Sequence, residues 1–215
     1  MGASRYIAIE GPIGVGKTSL ARRLANELDG ELVLEEAESN PFLDRFYQDP
    51  RGAALPAQLF FLFQRVRQME QLAQADMFSD VRIADFLMAK DRLFAQITLD
   101  RDELILYEQV FSQVDCKPRA PDLVVYLQAP VDTLLFRIAS RGLQYEQQIK
   151  RRYLERLTEA YSQFFHHYDE SPLLIVNAAT IDPVNNEQHF RMLLEEINNA
   201  RSGRQFFNPL VSALA

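Results

Sequence analysis

The segment Gly11-Pro12-Ile13-Gly14-Val15-Gly16-Lys17-Thr18 has the spacing G-x-x-x-x-G-K-[ST] of a phosphate-binding loop. Gly11, Gly14 and Gly16 let successive backbone N–H groups turn inward around an anion, where a Cβ would obstruct them. In such a loop the Lys17 ammonium meets the β- and γ-phosphates and the Thr18 hydroxyl meets Mg2+, with Val15 and Ser19 completing the cradle. A helix opening after Gly16 adds its positive dipole end. The ligand implied is a nucleoside triphosphate with Mg2+. The motif alone does not say what the phosphate is for.

Carboxylates and arginines elsewhere narrow that question. Glu35-Glu36 and Asp85 each follow a short apolar run, the sequence mark of a strand's C-terminal end, where open α/β sheets collect their function. Two carboxylates beside a phosphate cradle suit two tasks: holding Mg2+ and accepting a proton from an attacking hydroxyl. Arg137 and Arg141 lie four apart on a helical stretch and share a face before Gly142. Such a pair can close over a transferring phosphoryl group, although solvated helix arginines are the commoner finding. His166, His167 and His189 complete no metal-binding pattern.

These groups need a scaffold. Strand-like runs fall at residues 6–9, 32–34, 81–84, 122–127 and 173–176. Helical patterns cover 16–28, 40–75 (broken near 49–52), 87–96, 101–115, a stretch opening at Pro130, 146–168 and 185–200. The alternation predicts an α/β fold: a five-stranded parallel sheet with helices on both faces and a helical lid at about 137–152. The length fits one domain over residues 1–215. The tail, 201–215, carries Phe206, Phe207, Leu210, Val211 and Leu214, equally suited to packing on the body, a subunit contact or fraying.

Composition removes other classes. Thirty acidic against 23 basic residues give a net charge of −7, the wrong sign for a patch-driven nucleic-acid binder. One cysteine, Cys116, is expected as a lone reduced thiol, which fits a cytoplasmic location. No apolar run approaches the roughly 20 residues of a membrane span, so no membrane partner is expected.

Taken in order, EGPIGVGKTSL (10–20), LVLEEAESNPF (32–42), AQLFFLFQRVRQ (57–68), KDRLFA (90–95), PDLVVYLQAP (121–130) and RIASRG (137–142) resemble the deoxynucleoside kinase family, with the nearest likeness to bacterial deoxyguanosine and deoxyadenosine kinases. The resemblance implies a P-loop kinase-like domain that phosphorylates the 5′-hydroxyl of purine deoxynucleosides with ATP and Mg2+, commonly as a homodimer. It implies Glu35 as the general base and Arg137 and Arg141 as lid arginines, with Leu143 where a third basic residue is frequent. It puts Asp85 at the head of the family's acidic-Arg-Ser motif near the metal. Here Phe86 and Leu87 follow, so an arginine that elsewhere accompanies the base is missing. Base recognition falls on Gln58, Arg65 and Asp91, and the sugar 3′-hydroxyl on Tyr47 and Glu146. Gln58 and Arg65 are seven apart, two helical turns, and so share a face. A glutamine amide suits an adenine edge and an arginine the O6/N7 edge of guanine, leaving both purines open.

Two other functions fit the phosphate loop. A nucleoside monophosphate kinase, such as a thymidylate kinase, would need extra cations for its acceptor's phosphate. A P-loop switch protein that hydrolyses the triphosphate slowly would respond to a protein partner rather than to a nucleoside.

Overall fold

The computed structural model describes residues 5–74, 80–114 and 119–209. Cys116, Leu210, Val211 and Leu214 lie outside the described residues.

Apolar runs that are buried along their whole length dictate the centre of the fold. β1 (Arg5–Glu10), β3 (Val81–Ala84), β4 (Leu123–Gln128) and β5 (Leu173–Asn177) are almost wholly enclosed, as a parallel sheet covered on both faces requires. β2 (Glu31–Val33) and β6 (Arg204–Phe207) close the two edges, giving the order β2-β3-β1-β4-β5-β6 with every pairing parallel. The sheet therefore has six strands rather than the expected five. The added strand comes from the tail, which pairs Arg204 with Leu173 through Phe207 with Val176.

Helices α1 (Lys17–Leu28), α2 (Leu43–Gln48), α3 (Ala54–Gln74), α4 (Lys90–Thr98), α5 (Arg101–Gln113), α6 (Val131–Arg141), α7 (Arg151–His167) and α8 (Glu187–Asn199) connect the strands. Local chemistry fixes several of their ends. Asp100 accepts from the amides of Asp102 and Glu103, and the Glu103 side chain returns to the Asp100 amide, a capping box that starts α5. Asn186 caps α8 through the His189 amide, and Gly142 ends α6. The pattern at 146–168 is not one helix. A 3-10 turn at Gln144–Gln148 precedes α7, and so Glu146 projects from a tight turn beneath the end of α6.

The core joins both faces of the sheet to α1, α4, α6, α7 and α8, with Tyr126, Tyr161 and Phe165 stacked inside it. A satellite cluster of Leu43, Phe46, Ala53, Ala54 and Ala57 ties α2 to the start of α3. Strand order reverses at β1, with β3 on one side and β4 on the other, so a crevice opens at the C-terminal ends of these strands. No helix among the described residues is long and apolar enough to cross a membrane.

Candidate active site

The loop after β1 wraps its glycines against β4 and α6. Gly11 has φ +146°, and a Cβ there would lie 2.4 Å from the Leu127 carbonyl oxygen. At Gly14, φ is +83° and a Cβ would stand 2.9 Å from the Leu134 carbonyl oxygen. Both positions combine a left-handed backbone with contact against main chain, so glycine is required for shape as well as for exposing amides. Lys17 opens α1 and bends back over the loop, its Nζ donating to the carbonyls of Gly11 (2.8 Å) and Pro12 (3.2 Å). Burial, and then the nearby Lys90 ammonium, push the Lys17 amine down to about 8. Ser19, two residues further along α1, is exposed.

Carboxylates gather beside this loop from three strand ends. Thr18 donates its hydroxyl to Asp85 Oδ2, and Asp85 Oδ1 accepts the Glu35 amide at 2.7 Å. One buried acid just past β3 thus fixes both the loop threonine and the backbone that carries Glu35. Glu35 itself lies two residues beyond β2, on a segment pinned from α3: Gln68 donates to the Leu34 carbonyl at 2.6 Å, and Gln64 to the Glu36 carbonyl at 3.2 Å. Glu36 is exposed and takes no part in the cluster. Burial works to raise the Glu35 carboxyl, but Arg65, Lys90 and Lys17 outweigh it and hold it down at about 2.

Two residues of this cluster do not stand out in the sequence, although Glu10 ends an apolar run as Glu35 and Asp85 do. Glu10, the last residue of β1, is wholly buried and accepts from the amides of Gly11 (3.0 Å) and Leu87 (2.6 Å) and from the Tyr161 hydroxyl (2.9 Å). Lys90, the first residue of α4, lies 3.1 Å from Glu35 Oε2 and 3.4 Å from Glu10 Oε1. A carboxylate ending an apolar strand and a lysine in a helix's first turn both look ordinary until the fold brings them together.

The resulting cleft extends from Lys17, Thr18 and Asp85 between α2, α3, α4 and the 3-10 turn before α7. Gln58 and Arg65 enter it from α3, and both are buried. Arg65 Nε donates to Glu35 Oε1 at 2.9 Å, and its Nη1 lies 2.8 Å from Asp91 Oδ1 in an ion pair without hydrogen-bond alignment. Burial raises the Asp91 carboxyl; Arg65 opposes it without overcoming it. Among the described residues, Gln58 Oε1 and both Asp91 oxygens have no hydrogen-bond partner. Buried polar atoms left open in this way mark a place where a polar ligand belongs. Phe61 lies beneath the Arg65 guanidinium at 5.2 Å.

At the other end, Tyr47 stacks on Tyr145, with ring centroids 6.4 Å apart. Burial, with Tyr153 and Glu146 adding to it, keeps the Tyr47 phenol well above its usual range. Glu146 is buried and pairs with Arg141, whose Nε is 2.9 Å from Glu146 Oε2. Arg137 takes a different direction, donating to the carbonyls of Val15 (2.9 Å) and Ala178 (2.8 Å). Arg137 and Arg141 both line a second cleft on the outer side of the phosphate loop with Ser19 and the 181–185 segment. Glu35, Lys17, Thr18, Asp85, Tyr47, Gln58, Arg65, Arg141 and Glu146 line the first cleft, with Asp91 behind Arg65. Among the described residues no cluster of three or more His, Cys, Asp or Glu side chains is built to hold a metal alone.

Comparison with known proteins agrees with this architecture. The family described as deoxynucleoside kinase matches residues 7–201. A deoxyguanosine kinase of Bacillus subtilis is 32% identical over 92% of this chain and 98% of its own length. A deoxyadenosine kinase of Lactobacillus acidophilus is 29% identical, covering 90% and 95% of the two chains. Among solved structures, a deoxyadenosine kinase from M. mycoides, with dCMP and a flexible dCDP bound as products, superposes with a TM-score of 0.79. It is 25% identical, over 90% of this chain and 99% of the other. With a family match that spans both clefts and the strands from β1 to β5, the chain belongs to the deoxynucleoside kinase family.

Proposed function

We propose that the protein phosphorylates the 5′-hydroxyl of purine deoxynucleosides, with deoxyguanosine preferred, using ATP as donor. One observation carries the acceptor assignment. Gln58 and Arg65 present buried, incompletely bonded polar atoms in the cleft that also holds Glu35 and the phosphate loop, with the incompletely bonded Asp91 behind Arg65. Arg65 offers the donor fork that fits guanine O6/N7, Asp91 accepts from the amine side of the base, and Gln58 can pair with either purine. Tyr47 and Glu146 then hold the sugar's 3′-hydroxyl.

The donor's phosphates lie in the loop, against its amides, the start of α1 and Lys17. Its base occupies the outer cleft near 181–185, with Arg137 and Arg141 facing the triphosphate. Glu35 takes the proton of the 5′-hydroxyl as that oxygen bonds to the terminal phosphorus and the bond to the departing diphosphate breaks. Charge growing on the transferred group is met by Lys17 and the lid arginines. Binding also rearranges ion pairs. A guanine on Arg65 draws it away from Glu35, which relieves part of the charge that keeps this carboxylate so weak a base. A sugar hydroxyl on Glu146 competes with Arg141, freeing that arginine for the phosphates.

Thr18 and Asp85 meet through hard oxygen atoms at the mouth of the loop, a donor set that suits Mg2+ when phosphate oxygens and water complete its shell. The ion would neutralise phosphate charge there. We also propose a homodimer formed through α3 and α5, where Phe63, Ile105 and Leu106 are exposed. Sedimentation at the mass of the 24.8 kDa monomer would contradict the dimer.

The test of function is labelled ATP offered with each of the four deoxynucleosides and, separately, the four deoxynucleoside monophosphates. The expected products are dGMP and, more slowly, dAMP, with transfer lost on chelation and restored by Mg2+. Label appearing in diphosphates would identify a monophosphate kinase. Label in inorganic phosphate alone, unaffected by nucleosides, would identify a switch protein.

A further inference from the structure

Glu35 has a second cation, and it comes from an unexpected place. Phe86 and Leu87, the two residues after Asp85, are buried in the core, so no basic side chain reaches Glu35 from the end of β3. The charge arrives one turn later. Lys90, itself 2% exposed, extends back from the start of α4 to lie between Glu35 Oε2 and Glu10 Oε1. Its neighbour Asp91 faces Arg65, and Arg65 occupies the other oxygen of Glu35. The first turn of α4 therefore touches the proposed base twice, directly through Lys90 and indirectly through Asp91.

We propose that Lys90 is the positioning residue of the base: it holds Oε2 of Glu35 so that Oε1, once Arg65 turns to the nucleoside, faces the acceptor hydroxyl. The inference rests on Glu35 being the base of the function proposed above. A buried ammonium is costly unless paired, and two carboxylates from separate strands meet that requirement here. Glu10 anchors the lysine, since its own two oxygens are fixed by the Gly11 and Leu87 amides and the Tyr161 hydroxyl. Lys90 thus links the stem of the phosphate loop to the base. Of the two cations on Glu35, it is the one with no substrate to bind.

The experiment compares wild type, Lys90→Met, Lys90→Arg and the double variant Glu10→Gln/Lys90→Met, each checked by thermal melting, with ATP, Mg2+ and deoxyguanosine. The double variant avoids leaving Glu10 as a buried unpaired charge. Expected are a kcat loss of ~10–100-fold in both Met variants, as for a misplaced catalytic group, and a KM for deoxyguanosine within about threefold of wild type, as for a residue that does not bind substrate. Lys90→Arg, which keeps a cation between Glu35 and Glu10, should recover much of the lost kcat. Folded Met variants with wild-type kcat would overturn the role of Lys90. A wild type that phosphorylates no deoxynucleoside, or a Glu35→Gln variant with full turnover, would instead overturn the reading on which it rests.

Discussion

Glu35→Gln should lower kcat for deoxyguanosine by ~10²–10⁴ while nucleoside binding persists. The amide keeps the size of the side chain and can still accept one hydrogen bond from Arg65 or Lys90, so the cleft should hold its shape. What it loses is the ability to take a proton as the 5′-oxygen attacks. The expected fall corresponds to about 3–5 kcal/mol of barrier. A tight nucleoside complex measured by calorimetry, alongside poor turnover, separates loss of the base from loss of the site. Turnover within a few-fold of wild type would remove Glu35 from the mechanism.

Arg65→Met should collapse the preference for deoxyguanosine and destabilise the fold. The guanidinium bonds Glu35, faces Asp91 at 2.8 Å and lies over Phe61. Its contact with a guanine edge accounts for about 1–3 kcal/mol of discrimination, or roughly 5–150-fold in kcat/KM between deoxyguanosine and its competitors. Removing it also strands Asp91, and breaking a buried pair costs about 3–5 kcal/mol. Adding Asp91→Asn separates the two effects. The double variant should regain much of the lost melting temperature without regaining the preference for deoxyguanosine. A single variant that still favours deoxyguanosine would place base recognition elsewhere.

The phosphate loop was legible in the sequence because its requirement is local: glycines at fixed offsets, followed by Lys17 and Thr18. The four central strands were legible for a similar reason, since a strand buried on both faces is a continuous apolar run. β6 was not, because Arg204-Gln205-Phe206-Phe207 is a half-exposed edge strand with only Phe207 buried. The seven-residue spacing of Gln58 and Arg65 placed them on one helix face, as observed. The partners of these residues were another matter. The pairing of Arg141 with Glu146 depends on the 3-10 turn after Gly142, and the periodicity there read as the start of a long helix. Glu10 and Lys90 depend on three separate strand and helix ends meeting, which no spacing along the chain encodes. Side chains that act with near neighbours can be read from sequence, whereas the ion pairs that set their charge appear only with the fold.

The most direct measurement is a crystal structure of the protein with deoxyguanosine and a non-hydrolysable ATP analogue. The 5′-oxygen should lie within hydrogen-bonding distance of Glu35 Oε1, pointing at the terminal phosphorus held by Lys17, with the guanine on Arg65. A nucleoside bound with its primary alcohol turned away from Glu35 and from the phosphate loop would contradict it.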